Sequence, residues 1–453
     1  MKKPILVLGA ILFVLSVFAA PAFAADPIAI TSNKFVNNFR QNLQFKLDAT
    51  STAGKINQIA LFIQIDGVSS SARQLPEFTA DKQVAATYEW NLTRNYLPPG
   101  VTGQFWWIIE DDAGSKLTTD KQSFRVEDTS KQWRKLSNEK LAIFWYNGGD
   151  SFGKALFERG VEAMKFLEQD TGVVIDRQIQ TYIYGNRADF RNALSVGAQE
   201  WTGGQAFPDY SVVLINVEPT ALEWGKGATV HELTHQVIHQ KIKGPLGDLS
   251  MPHWMDEGLA MYYETYPDQL DSQFNTPLRR AIQNDTVVAL RTLSGAFPAD
   301  SNAANLAYAQ SYAVVDFIYR KYGKDKMATM LQEFKKGGNY DDILKKVIGV
   351  DTDGLDNAWR QEVGLKPRAV ATRSLPQSSA IPTIGLSTDY STPVPGAPAT
   401  ATPPRVSQNV TPAAPSSSAS SSSGTTIQIC SASFLVFAVG FLGVVLSRRK
   451  KVL

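Results

Sequence analysis

The chain has a single cysteine, Cys430, and only four histidines in 453 residues. One cysteine excludes a disulfide scaffold, and it excludes zinc or iron–sulfur sites built from several thiolates. Charge is also sparse, at 19% of the residues. Six of the cations sit at the two ends, as Lys2, Lys3, Arg448, Arg449, Lys450 and Lys451. Setting those six aside turns the formal charge of +2 into −4 for everything between. A body of that charge lacks the basic footprint of a nucleic-acid binder. What remains is a length that accommodates about two or three domains, with ample material for buried cores.

The two ends read as targeting segments. Met1-Lys2-Lys3 is followed by an apolar run from Ile5 to Ala20, broken only by Ser16, and then by Ala22-Phe23-Ala24. That order is the pattern of a secretory signal peptide over residues 1–24. Ile427 to Leu446 is a run of 20 residues without formal charge, directly before the basic tail at 447–453. Such a run is long enough to cross a bilayer as a helix, and the flanking cations place the tail in the cytoplasm. The expectation is a single-pass protein whose body faces outward. Residues 366–426 hold ten of the 23 prolines among many Ser, Thr and Ala residues. This composition buries too little apolar surface to fold, so it reads as an extended stalk.

Between leader and stalk the chemistry of the sequence changes once. Residues 25–130 show short alternating runs, including Ile56 to Ile65, Tyr88 to Leu92 and Phe105 to Ile109. Turn signals at Asp66-Gly67, Pro98-Pro99-Gly100 and Asp112-Ala113-Gly114 separate them. This predicts a β-sandwich resembling immunoglobulin-like or fibronectin-type modules. Residues 131–365 predict strands at Leu141–Tyr146, Ile179–Tyr184 and Ser211–Asn216. Helices follow at about 153–169 and 187–194, and then almost exclusively from about 226 to 363. A mixed half followed by a helical half is an α+β domain.

All four histidines, His231, His235, His239 and His253, fall within 23 residues. Two of them lie in His231-Glu232-Leu233-Thr234-His235, an H-E-x-x-H motif. Four residues apart on a helix share a face, so both imidazoles can grip one ion while Glu232 reaches a water beside it. Two histidines and a carboxylate suit one zinc ion per chain, with a position left open for chemistry. His239 lies one further turn along. A straight helix does not wrap three such histidines around one ion, so His239 reads as a packing or supporting residue. The third ligand must come from downstream.

The segment Trp254-Met255-Asp256-Glu257-Gly258-Leu259-Ala260-Met261-Tyr262 resembles the second helix of the gluzincin metallopeptidases. That group includes thermolysin-like and aminopeptidase-like enzymes and the bacterial peptidase MA-like domains. The resemblance covers about residues 131–365 and implies a zincin-like fold with Glu257 as the third zinc ligand. It implies that Glu264 supports the site, unless it is simply a solvated acid. It also implies that Gly204 and Ala206 lie on an edge strand approached by a peptide substrate, unless they form a turn before a core strand. Tyr308 would be the donor to the developing oxyanion, with Tyr312 second; either tyrosine also suits plain packing. His253 lines the substrate cleft or stacks on Trp254.

The function expected from these readings is a membrane-anchored zinc peptidase acting on peptides or proteins outside the cell. The alternative is a catalytically silent surface-binding protein on the same fold. An amidase acting on cell-wall peptide links would use the same metal chemistry. Substrate identity and oligomeric state are not written in the residues.

Overall fold

The computed structural model describes residues 26–195, 203–244, 250–265 and 270–369. The expected leader (1–24), most of the stalk, the apolar run 427–446 and the basic tail lie outside the described residues. Among the described residues no helix is long and apolar enough to cross a membrane.

Two antiparallel sheets form the N-terminal part. One joins β1 (Ile28–Asn38), β2 (Asn42–Ser51) and β5 (Gln83–Asn91) in the order β1-β2-β5. The other joins β3 (Ile56–Ile65), β4 (Ala72–Gln74), β6 (Thr102–Asp111), β7 (Lys116–Thr118) and β8 (Gln122–Arg125). Its order is β4-β3-β6-β7, with β8 also paired to β6. The sequence alternation explains both inner faces. Leu43, Phe45, Leu47 and Ala49 of β2 are buried between Gln44, Lys46 and Asp48, and Phe105, Trp107 and Ile109 of β6 are buried likewise. Side chains of period two from each sheet meet in the middle. Phe45 touches Phe105 edge-on with ring centroids 5.0 Å apart.

The second part starts with β9 (Arg134–Ser137) and β10 (Leu141–Trp145). It continues through α1 (Gly149–Thr171), β11 (Ile179–Tyr184), α2 (Arg187–Ala193), β12 (Gly204–Phe207) and β13 (Val212–Asn216). These five strands form one sheet in the order β12-β13-β11-β10-β9. The central pairs are parallel, and β12 and β9 run antiparallel at the two edges. Among the described residues seven helices follow: α3 (Leu222–Ile242), α4 (His253–Thr265), α5 (Ser272–Gln283), α6 (Ser301–Tyr322), α7 (Lys324–Lys336), α8 (Tyr340–Ile348) and α9 (Thr352–Glu362). The α+β class expected from the sequence is the class observed.

Both faces of the five-stranded sheet are covered, which is why its central strands are apolar nearly throughout. Ile143, Ile179, Ile183, Val213 and Ile215 face α1 and α3 in one core. Their neighbours Tyr182, Tyr184, Val212 and Leu214 face the other way and share a core with the sandwich. Polar contacts frame this second face. Arg125 Nη2 donates to Tyr182 Oη at 2.7 Å, Tyr184 Oη donates to Asp128 Oδ2 at 2.9 Å, and Gln180 Nε2 donates to the Gly100 carbonyl at 3.0 Å. The sandwich is therefore the second wall of the sheet.

Candidate metal centre

Helix α3 runs through the interior. Every residue from Ala228 to His239 is buried. A helix in that position is normally apolar all round, yet this one carries Thr229, His231, Glu232, Thr234, His235, Gln236 and His239. Most of its neutral polar groups are bonded locally. Thr229 and Thr234 donate to the carbonyls of Gly225 and Val230 at 2.7 and 2.8 Å, and Gln236 Nε2 donates to the Val212 carbonyl at 2.8 Å. The imidazoles look instead toward α4.

Helix α4 lies against α3 on one side and α6 on the other. Gly258 permits the second approach, since a Cβ there would come 2.5 Å from the Ser311 carbonyl oxygen. The close packing aims the preceding residue, Glu257, at the two histidines. Its Oε2 lies 3.4 Å from His231 Nε2 and 3.6 Å from His235 Nε2. His231, His235 and Glu257 each present one ligand atom, all within 4.8 Å of one another.

The rings are held from behind. His231 Nδ1 lies 3.0 Å from Glu264 Oε2, and His235 Nδ1 lies 3.0 Å from Asp256 Oδ1. A carboxylate at Nδ1 keeps the proton there and turns the Nε2 lone pair toward the centre, which is how protein histidines are prepared for a metal. Asp256 also reaches His239, whose Nε2 lies 3.2 Å from Oδ2. His239 thus sits behind Asp256, which lies between it and His235.

Four groups at the centre lack hydrogen-bond partners although all are buried: His231 Nε2, His235 Nε2, both oxygens of Glu257, and Oε1 of Glu232. Unpaired polar atoms in the interior cost roughly 1–3 kcal/mol each, so their convergence marks a place built for a ligand. Two nitrogens and a carboxylate oxygen at one point fit a zinc-like cation. The local field agrees. Burial pulls the pKa of His231 down, but the nearby Glu257 and Glu264 carboxylates outweigh it and hold it up at about 9. Burial pushes Glu232 up to about 7, against the pull of His231 and His235. Burial likewise works against ionisation of Glu257, but His235 and His231 hold it well below the usual carboxylate range.

The remaining expected residues fall in different places. Gly204 sits on β12, at the sheet edge beside the centre. A Cβ on it would lie 2.3 Å from Glu232 Oε1, so glycine leaves the room that the Glu232 carboxylate occupies. Ala206 is half-buried on the same strand. Tyr308 is buried, with its ring centroid 6.5 Å from that of His231. Tyr312, one turn on, packs against Tyr262 near the end of α4 rather than against the histidines. His253 is half-buried, with Nε2 3.8 Å from Glu257 Oε1. Its ring lies edge-on against Phe297. Phe297 spans from His253, at 4.5 Å between centroids, to Tyr308, at 5.1 Å. Sequence reasoning passed over Asp256 and Phe297. Asp256 stands beside the expected ligand, in the quoted segment itself. Phe297 lies in a loop with no periodicity to flag it.

Residues 160–364 match the sequence model of the family described as Peptidase MA superfamily. The protein YhcO of Bacillus subtilis (strain 168), described as uncharacterized, is 24% identical over 157 residues. That match takes in 34% of this chain and spans only about half the length of the relative, 46%. An M1 zinc metallopeptidase from Deinococcus radiodurans aligns at 12% identity with a TM-score of 0.36, covering 73% of this chain and 93% of that one. An aminopeptidase N family protein from Idiomarina loihiensis aligns at 11% identity with a TM-score of 0.37, covering 73% and 75%. The part of the chain that brings His231, His235 and Glu257 together thus matches the Peptidase MA superfamily model, and a β-sandwich module precedes it.

Proposed function

We propose that the chain is a zinc-dependent peptidase, anchored by its C-terminal apolar segment with its body outside the cell membrane. The observation that supports this best is the convergence of the unpartnered Nε2 atoms of His231 and His235 with the unpartnered Glu257 carboxylate, beside an equally unpartnered Glu232 oxygen. A structural ion pair needs no free ligand atoms and no spare carboxylate.

In this reading His231, His235 and Glu257 hold one zinc ion, which supplies Lewis acidity toward water and toward the scissile carbonyl. Glu264 and Asp256 fix the two rings. Glu232 receives a proton from the attacking water and returns it to the leaving amine. Burial raises its pKa above the usual carboxylate value, which favours taking up that proton. Among the described residues β12 is an edge strand, and its outer side offers main-chain groups to an extended peptide, which joins the sheet edge beside Glu232. Tyr308 donates to the oxyanion as it forms.

The test is Glu232→Gln. Zinc content should stay at one ion per chain while hydrolysis of a peptide library disappears. Undiminished hydrolysis in this variant would refute the mechanism. A wild-type protein that binds zinc and cleaves no peptide would leave the surface-binding role in its place.

A further inference from the structure

Helix α4 carries a second set of ligand atoms. His253, Asp256 and Glu257 present one ring nitrogen and two carboxylate oxygens within 4.8 Å of one another. They stand at i, i+3 and i+4, so one helical turn displays all three. Glu257 belongs to both sets, and its two oxygens are divided between them. Oε2 faces His231 and His235, whereas Oε1 lies 3.8 Å from His253 Nε2. Both oxygens are buried and neither has a hydrogen-bond partner. An ion between the two α3 histidines and Oε2 leaves Oε1 still to be accounted for, in an interior where an orphaned charged oxygen is costly.

We infer that the chain binds a second divalent cation on His253, Asp256 and Glu257, adjacent to the first, with the Glu257 carboxylate bridging the two. The inference rests on the zinc reading of the first site. One nitrogen and two oxygens suit a borderline cation such as zinc or cobalt better than calcium, which prefers oxygen alone. The second ion is held more weakly than the first. Asp256 already accepts from His235 and His239, and His253 is the most exposed of the three ligands. Its position also faces Phe297, so it lies toward the loop before α6.

Equilibrium dialysis of the full chain against zinc, with metal analysis, tests this. Cobalt absorption gives a second readout. The chain has few other soft ligands, with four histidines and one cysteine in all, so background binding is low. Wild type should take up one ion tightly and a second more weakly. His253→Ala and His253→Asn should each keep the tight ion and lose the weak one, and Glu257→Ala should lose both. Saturation of wild type at one ion would overturn the inference and leave the first site standing, with Glu257 gripping a single ion through both oxygens. Two ions in both His253 variants would overturn it as well. Absence of any tight ion would overturn this inference and the zinc reading together.

Discussion

Glu264 Oε2 lies 3.0 Å from His231 Nδ1, a contact between residues 33 apart on two different helices. It ties the last turn of α4 to the middle of α3 and sets the angle of an imidazole that is fully buried. Supporting carboxylates of this kind tune a ligand without touching the metal. Glu264→Ala should weaken zinc binding about 10- to 100-fold. Competition with a chromogenic chelator measures it, and unchanged affinity would show that packing alone orients the ring.

Gly204→Ala tests the fit between β12 and Glu232, the proposed general base. The added methyl would stand 2.3 Å from Glu232 Oε1, so the carboxylate must turn away. A displacement of about 1 Å at a catalytic group lowers rates by up to about 10²-fold. The expected result is a fall of that order in kcat with zinc content unchanged. Equal activity would mean that Glu232 can shift and still work.

The shared core between sheet and sandwich predicts cooperative unfolding. Tyr182, Tyr184, Val212 and Leu214 share their core with the sandwich, which supplies much of their cover. A protein of residues 26–369 should therefore melt in one calorimetric transition. A fragment beginning at residue 131 should expose that face and aggregate or bind a hydrophobic dye. Two separate transitions in the longer protein would contradict this.

Asp341 offers a pH test far from the metal centre. Burial alone would raise its pKa, but hydrogen bonds from Arg291 and from Thr352 outweigh it and hold it below the usual carboxylate value. A depressed pKa in the folded state stabilises above the unfolded value of about 3.9 and loses that effect as pH falls through the folded one. Asp341→Asn should lower the urea midpoint at neutral pH, and the gap from wild type should close in acid. A gap that stays constant with pH would assign the effect to shape rather than charge.

Much of this was legible in the residues. Ile56–Ile65 and Ile179–Tyr184 announce themselves as strands because their apolar side chains have no other period to follow. The histidine pair and the Glu257 segment were visible for a related reason: chemistry of that kind needs fixed spacings along helices. β1 was not resolved, because Ser32, Asn33, Lys34, Asn37 and Asn38 dilute its pattern on a strand with half-exposed sides. β2 does carry the alternation, in Leu43, Phe45, Leu47 and Ala49, but it lies beside that polar stretch with no proline or Asn-Gly turn to mark its start. Asp256 was hidden for a different reason. An acid in the first turn of a helix is commonplace, and only the arrival of α3 gives it His235 and His239 as partners. Tyr308 and Tyr312 could not be told apart by type. Their separation came from where α6 crosses α4. That the sandwich covers the sheet lies beyond any local pattern, since an apolar strand does not say what buries it.

The buried, unpartnered atoms of α3 and α4 also bear on how long the molecule survives. They favour the unfolded state until something positive is shared among them. Under the zinc reading, occupancy and folding are linked, and each tenfold rise in free zinc above the dissociation constant adds about 1.4 kcal/mol of stability. Where zinc is scarce the chain opens more often, and surrounding proteases cut the open form. The abundance of the protein would then follow the local supply of the ion, with no separate regulator required.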